Sequence, residues 1–581
     1  MLRTPAPSNL YGLVDMGSNG IRFSITDLSP STARSLPTVY QEREGISLFD
    51  AQYSTGVKGP IPQETIDDVV SSLMRFRTAC ADFEVPQTNI RVLATEATRT
   101  AANSEDFRKQ IKNATGREVD MLPKEAEGRI GAMGVASSFA SVDGLVMDLG
   151  GGSTQITWMI AKDGKVQTSP KGSISFPYGA AAMTRRLAEL DIAEEEYRQR
   201  HSKLSTPKSP SLSPRAGLEE EMKSQFLKAY EDLDLPESLK HKAKHGELTL
   251  YLSGGGFRGW GYLLMSQHKV SPYPVQIING FDVAKRDFQQ TAQISTVAAE
   301  QCIFRVSKRR AKQVPAVAFL VNVLVAALPM IQQVRFCQGG VREGFLFDTL
   351  DSSTKALNPL TAGTAQFGTP SAPEIADLLF SGLPGMNHFD RSLPPTFTRS
   401  LVRAVADMMY MNLTMPKESR SVSALHAPLT GVLASAHGIA HCDRALLALS
   451  LSRRWNADLP PPHSTLESRL RCILTQQEVF WANYLGALAA LVGAVYPAGR
   501  IDKARPRLQL SARWADGLGK KGLNQGVVLD IKCRREDVMT SPSSLNPMIE
   551  EIEKLGKKKN RIGGEHGFGI PFQVTIDRVL D

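Results

Sequence analysis

No CxxC pair and no histidine–cysteine cluster occurs in this chain; Cys80, Cys302, Cys337, Cys442, Cys472 and Cys533 stand singly. Such scatter argues against a structural zinc site and a disulfide framework, and fits a reducing compartment. A dense basic arm is missing as well. The net charge of +9 is mild for 581 residues, so it suits a polyanionic ligand or an acidic partner and gives no sign of direct nucleic-acid binding. The opening MLRTPAPSNL has no apolar centre of the secretory type. The longest apolar run, residues 318–331, is broken by Asn322 and Pro329; it is short for a bilayer and reads as a buried helix. These absences lead to the expectation of a cytoplasmic protein without a membrane partner.

What is present is the composition of a soluble globular chain, 42% hydrophobic and 22% charged, long enough for two to four domains. Strand and helix patterns alternate through the first third. Residues 91–97 and 118–122 read as strands. Between them Ser104 starts a helix that Gly116 ends, and another helix runs over 124–140. This pattern predicts an α/β fold. Residues 201–217, HSKLSTPKSPSLSPRAG, lack apolar periodicity and read as a disordered insertion, either modified at its Ser-Pro steps or simply solvated. Residues 356–373 read as a linker, followed by helices over 395–411, 445–454 and 476–495. Strands return at 507–511, 526–532 and 573–576.

Two stretches resemble each other. YGLVDMGSNGIRFSI and GLVMDLGGGSTQITWMI each place an aspartate, Asp15 or Asp148, at the end of an apolar strand, then a small-residue turn, then a strand of period two. A hairpin turn needs glycine or asparagine for its backbone but needs no aspartate beside it. A phosphate-binding hairpin explains both features. Small residues let backbone N–H groups approach a phosphate, and the aspartate supplies a hard oxygen for Mg²⁺, usually through water. A third turn, SGGG at 253–256, alone reads as a flexible turn.

The ordered series DMGSNG, ATEATR, EAEGR, DLGGGST, SGGG and GGVREG resembles the Ppx/GppA family of exopolyphosphatases and guanosine pentaphosphate phosphohydrolases. Within it the wording is most similar to a fungal branch that relays mitochondrial dysfunction to the nucleus. The resemblance covers about residues 10–350. It implies an actin-like, Hsp70-like ATPase fold, with two ribonuclease-H-like lobes around a cleft (residues 1–138 and 139–350) and a mainly helical C-terminal domain at 356–581 ending in a small α/β part. It also implies site roles. Glu127 matches the general base and Asp148 the metal-associated acid. Asp15, Gly17, Ser18 and Asn19 match the first phosphate cradle, and Gly150, Gly151, Gly152, Ser153 and Thr154 the second. Gly254 and Gly255 add a third contact, and Arg99 matches an arginine that contacts phosphate or, equally, forms a salt bridge. Asp15 and Asp148 would share Mg²⁺, with ATP or polyphosphate as ligand.

Two positions depart from the family wording. Gln155 stands where an acid is usual after the second turn, and Gly20 where a serine is common. An amide neither ligates a metal strongly nor takes a proton. Two functions follow: a regulatory switch whose lobe closure changes affinity for a signalling protein, or an active phosphoanhydride hydrolase. The basic run RVSKRR at 305–310 either attracts polyanions or forms a solvated face. His437 and His441, four apart in the C-terminal domain, would share a helix face. That domain is expected to serve docking or homodimer formation.

Overall fold

Leu13, Val14, Asp15 and Met16 are all nearly inaccessible, and alternate side chains enter different cores: Val14 and Met16 one, Leu13 another. A strand buried on both faces belongs at the centre of a covered sheet. This is β1 (Leu10–Gly17) in the computed structural model, which describes residues 8–201, 213–385, 392–519, 522–535 and 537–579. The chain divides into two units, Met1–Lys269 with Ile277–Leu357, and Val270–Gln276 with Asn358–Asp581.

The first unit holds two lobes built to one plan. Strands β1, β2 (Gly20–Asp27), β3 (Thr38–Glu44), β4 (Ile90–Ala94) and β5 (Val119–Met121) form a sheet in the order β3-β2-β1-β4-β5. The first three pair antiparallel, and β4 and β5 continue in parallel. Helix Gln63–Asp82 covers one face through Ile66, Val69, Leu73, Phe76 and Cys80, the three- and four-residue spacing of one helical stripe. Phe76 meets Phe23 of β2 with ring centroids 5.1 Å apart.

The second lobe repeats this order with β6 (Val142–Leu149), β7 (Thr154–Lys162), β8 (Lys165–Thr168), β10 (Leu248–Ser253) and β12 (Ile331–Phe336). The sheet reads β8-β7-β6-β10-β12; β9 (Ile174–Phe176) pairs with β7, and β11 (Phe281–Ala284) adds an antiparallel edge. Two ribonuclease-H-like lobes of the actin-like ATPase type are therefore present. Asp15 and Asp148 occupy equivalent places, near the ends of β1 and β6, where an antiparallel hairpin adjoins the parallel half of its sheet. Ligand crevices open at such switch points.

Several expectations change. Strand β4 stops at Ala94, and Glu96–Arg99 turns into a short helix. SGGG is no flexible turn: it begins helix Gly254–Ser266. Gly254 has φ +89°, and a Cβ there would meet the Leu149 carbonyl oxygen at 2.4 Å; glycine is required by contact and conformation together. Helix Lys124–Ser137 crosses helix Val341–Thr349 so tightly that a Cβ on Gly344 would lie 1.9 Å from the Ile130 carbonyl oxygen. GGVREG thus owes its last glycine to a helix crossing. Gly344→Ala is expected to destabilise by about 3 kcal/mol, read as a lowered urea midpoint; an unchanged midpoint would contradict the crossing.

The disordered insertion expected at 201–217 falls mostly on 202–212, outside the described residues. Its last part is helical: Ser213 accepts from the Ala216 N–H and opens helix Pro214–Asp232. Residues 318–327 of the apolar run form the end of helix Lys308–Ala327, and Ile331 already begins β12. That helix and Gln476–Val495 are long and apolar enough to cross a membrane, yet most of each apolar window is buried, 61% and 83%.

In the second unit residues 359–367 are helical, where a linker was expected. Helix Gln476–Val495 starts with a Thr475/Glu478 capping box and is buried almost all round. Strands β13 (Leu508–Leu518), β14 (Asn524–Arg534) and β15 (Phe572–Val579) form a sheet, with β14 and β15 parallel across helix Pro542–Leu555. His437 precedes helix His441–Arg454, so the two histidines share no helix face. His441 instead meets the Tyr273 hydroxyl at 2.9 Å.

Candidate functional site

Both Asp-x-Gly turns and the start of helix Gly254–Ser266 border one cavity of about 110 Å³ in the first unit. Asp15, Gly17, Ser18, Asn19, Glu127, Asp148, Gly150, Gly151, Gly152, Ser153, Gly254 and Gly255 all line it. The turns abut: a Cβ on Gly151 would stand 3.0 Å from the Asn19 Cβ and 3.2 Å from that of Ser18.

The backbone of these turns is arranged for an anion. N–H groups of residues 179–182, leading into helix Ala180–His201, donate to the carbonyls of Gly150, Gly151 and Gly152. The N–H groups of Ser18, Asn19, Gly151, Gly152 and Ser153 have no acceptor among the described residues. Helix Gly254–Ser266 adds its own unpaired first-turn N–H groups, since the Ser253 side chain does not cap it; that hydroxyl donates to the Gly339 carbonyl at 2.8 Å. Unpaired N–H groups at turns and a helix N-terminus are ready donors to phosphate oxygens.

Two expected residues sit elsewhere. Thr154 is fully buried, and its hydroxyl donates to the Tyr178 carbonyl at 2.8 Å. Arg99 pairs with Glu127 at 3.3 Å and donates to the Leu122 carbonyl; it acts on the cleft through Glu127. This follows from the early end of β4, which puts Arg99 on a helix facing the Glu127 helix.

Sequence reasoning missed Arg22, Glu96, Arg258 and Arg310, all lining the cavity. Arg22 stands across the β1–β2 pair from Asp15, with its guanidinium 3.7 Å from the carboxylate. Arg258 lies one helical turn beyond Gly254, and its Nε donates to the Gly254 carbonyl. Arg310 belongs to the run RVSKRR, so that run is not simply a solvated face. Burial pushes Arg310 down to about 9, with Arg43, Arg258, Arg22 and Arg309 adding repulsion. Arg258 falls to about 10, mainly through burial. A bound anion would relieve this crowding.

The acids respond in the opposite sense. Burial pushes the Glu127 carboxyl up to about 7 against the pull of Arg99, with Glu96 and Asp148 adding to the rise. Burial also raises Asp148, opposed by the Ser253 hydroxyl, Arg258 and Arg22, with Asp15 adding to the rise. Gln155, across the β6–β7 pair from Asp148, places its amide 3.4 Å from the Ser153 hydroxyl. Gly20 suits its place: its φ is +151° and a Cβ would meet the Glu44 carbonyl oxygen at 3.2 Å, so a serine would be strained there.

Among the described residues no group of three or more His, Cys, Asp or Glu side chains is placed to hold a metal. Asp15 and Asp148 do fit Mg²⁺ arriving with phosphate, because that ion commonly keeps waters and takes one or two carboxylates together with phosphate oxygens.

Residues 28–353 match the Ppx/GppA phosphatase family, and residues 358–579 match the RTG2 C-terminal domain. Retrograde regulation protein 2 of Saccharomyces cerevisiae is 34% identical over 589 residues, covering 95% of this chain and 95% of that protein. A guanosine-5'-triphosphate,3'-diphosphate pyrophosphatase of Photobacterium profundum is 31% identical over 172 residues, 29% of this chain and 33% of its own length. The solved Aquifex aeolicus PPX-GPPA enzyme, 21% identical, aligns with 59% of this chain and 100% of its own, at a TM-score of 0.43.

Proposed function

The chain belongs to the Ppx/GppA phosphatase family, and on that premise we propose that it is a cytoplasmic regulator of mitochondria-to-nucleus retrograde signalling, built on a phosphate-binding cleft. The ligand is a polyphosphate or a nucleotide polyphosphate taken up with Mg²⁺ between the lobes, and its occupancy sets affinity for a signalling protein. Similarity over nearly the whole length to a protein named for retrograde regulation supports the regulator. One observation carries the ligand class: unpaired N–H groups on both turns and an uncapped helix N-terminus share a cavity with Arg22, Arg258 and Arg310. The cavity is small beside the ~300–1,000 Å³ of drug-sized ligand sites, which favours a terminal phosphate over a whole nucleoside.

Mg²⁺ would be held by Asp15 and Asp148, where it would neutralise phosphate charge and polarise the phosphoryl group. The chain's own groups do the rest. The turns and arginines orient the phosphate, and Glu127, protonated below about pH 7 and held by Arg99, would be the group that takes a proton from water. Gln155 offers no acid beside Asp148, which favours binding over turnover.

A second reading, hydrolysis with Glu127 as general base, rests on that same raised carboxyl. The two separate in one assay with Mg²⁺ and polyphosphate, ATP or guanosine pentaphosphate. The regulator predicts saturable binding without sustained phosphate release, and release gained in Gln155→Glu. Sustained release by the natural protein, lost in Glu127→Gln, would establish the hydrolase instead.

A further inference from the structure

Between β3 and helix Gln63–Asp82 the first lobe sends out a strap, residues 45–56, which neither the cleft chemistry nor the sheet requires. Its sequence builds a single turn of helix, Leu48–Gln52, whose Ser47 side chain accepts from the Asp50 N–H. The strap holds the first phosphate turn from behind, the Phe49 N–H donating to the Ser18 carbonyl at 2.9 Å and the Ser47 hydroxyl to the same oxygen at 3.3 Å.

The second lobe grips this strap and turn at two separate places. At one, Arg309 donates to the carbonyls of Asn19 and Gly45 and faces Asp50 at 3.9 Å. One helical turn on, Gln313 accepts from the Asn19 side-chain amide at 3.3 Å. At the other, Arg185 donates to the Gly56 carbonyl at 2.6 Å and lies 4.5 Å from the centre of the Tyr53 ring. Between the two grips Phe49 packs on Tyr53, ring centroids 4.8 Å apart, and reaches towards Gly152 of the second turn. Asn19, matched to the first phosphate cradle, directs its side-chain amide across the lobes to Gln313.

We infer that Arg309, Gln313 and Arg185 form a two-point latch that holds the lobes shut over the strap, so that ligand exchange requires the latch to release. Backbone carbonyls and an aromatic face are its main acceptors. Gln313 is buried, but the two arginines are partly exposed, 32% for Arg309 and 40% for Arg185, where single charged contacts are individually weak, as a reversible closure needs. Arg310, next to Arg309 on the same helix, lines the cavity, so an anion there would act on the element that carries one grip. That consequence rests on the proposed phosphate ligand; the latch itself does not.

The test compares the full-length protein with the Arg185→Ala/Arg309→Ala double variant by hydrogen exchange and by stopped-flow binding of magnesium tripolyphosphate. The latch predicts on the order of tenfold faster exchange at Phe49, Tyr53 and Gly56, whose N–H groups are hydrogen-bonded in the strap, with helix Gln63–Asp82 unchanged, and faster probe association and release. Unchanged exchange in the strap would overturn it, as would faster exchange throughout the lobe. Faster strap exchange in a protein that binds no tripolyphosphate would support the latch and remove the ligand reading instead.

Discussion

With Asp148 replaced by alanine, affinity for magnesium tripolyphosphate is expected to fall on the order of a hundredfold, about 3 kcal/mol. The protein itself should be no less stable. Both halves follow from the same geometry. Asp148 ends the central strand of the second lobe and lines the cavity with Asp15, so its loss removes one of two carboxylates fit for the metal. In the free protein its charge is disfavoured by burial and by Asp15, so alanine removes an unfavourable charge. Asp15→Ala should also weaken binding, but it leaves Arg22 without its carboxylate at 3.7 Å and should cost some stability. Isothermal calorimetry with parallel thermal melts distinguishes these outcomes. Unchanged affinity in both variants would mean the ligand binds elsewhere.

Glu127→Gln is expected to make the protein more stable above neutral pH and to leave it unchanged in acid. The folded protein holds the Glu127 proton up to about pH 7, against an ordinary value of 4.5. Because the folded state binds this proton more tightly than the unfolded chain, the stabilisation is complete below about 4.5 and is lost as pH rises through 7. The whole difference amounts to about 3 kcal/mol, with little allowance for solvent since the side chain is 15% exposed. Glutamine mimics the protonated acid and does not titrate. Urea unfolding at intervals from pH 4.5 to 8.5 should therefore show a gap opening in favour of the variant. A gap that does not change with pH would show that Arg99 keeps the carboxylate charged. Should the protein hydrolyse phosphoanhydrides, the rate would rise through pH 7, and the variant would lose on the order of 10²–10⁴ of it.

Much of the cleft was legible because its components are local. Asp15 and Asp148 each stand beside their own turn in sequence, and an aspartate there has no role in a plain hairpin. The repeat of strand, aspartate and turn pointed to a duplicated hairpin, the family resemblance implied two lobes, and the two sheets do share one strand order. The helix expected over 476–495 spans those residues, and the structure adds a Thr475/Glu478 capping box at its start. The errors have equally physical causes. SGGG reads as flexible by composition, but those glycines serve a close approach to Leu149, and a neighbour about a hundred residues away has no local signal. The i, i+4 spacing of His437 and His441 implies a shared face only inside a helix, and the chain there becomes helical at His441.

The sequence by itself thus determined the family, the two Asp-x-Gly turns and the acids beside them, since each is a short pattern of particular residue types at fixed spacing. Only the tertiary structure decided which charges meet. Arg22, Arg258 and Arg310 lie on a strand and two helices far apart in the chain, Arg99 serves Glu127, and Arg309 and Arg185 reach across to the strap. An arginine has the same composition and charge wherever it stands. Whether it faces solvent, a carboxylate or a phosphate depends on what folding brings within a few ångströms of its guanidinium, where Coulomb forces and desolvation act.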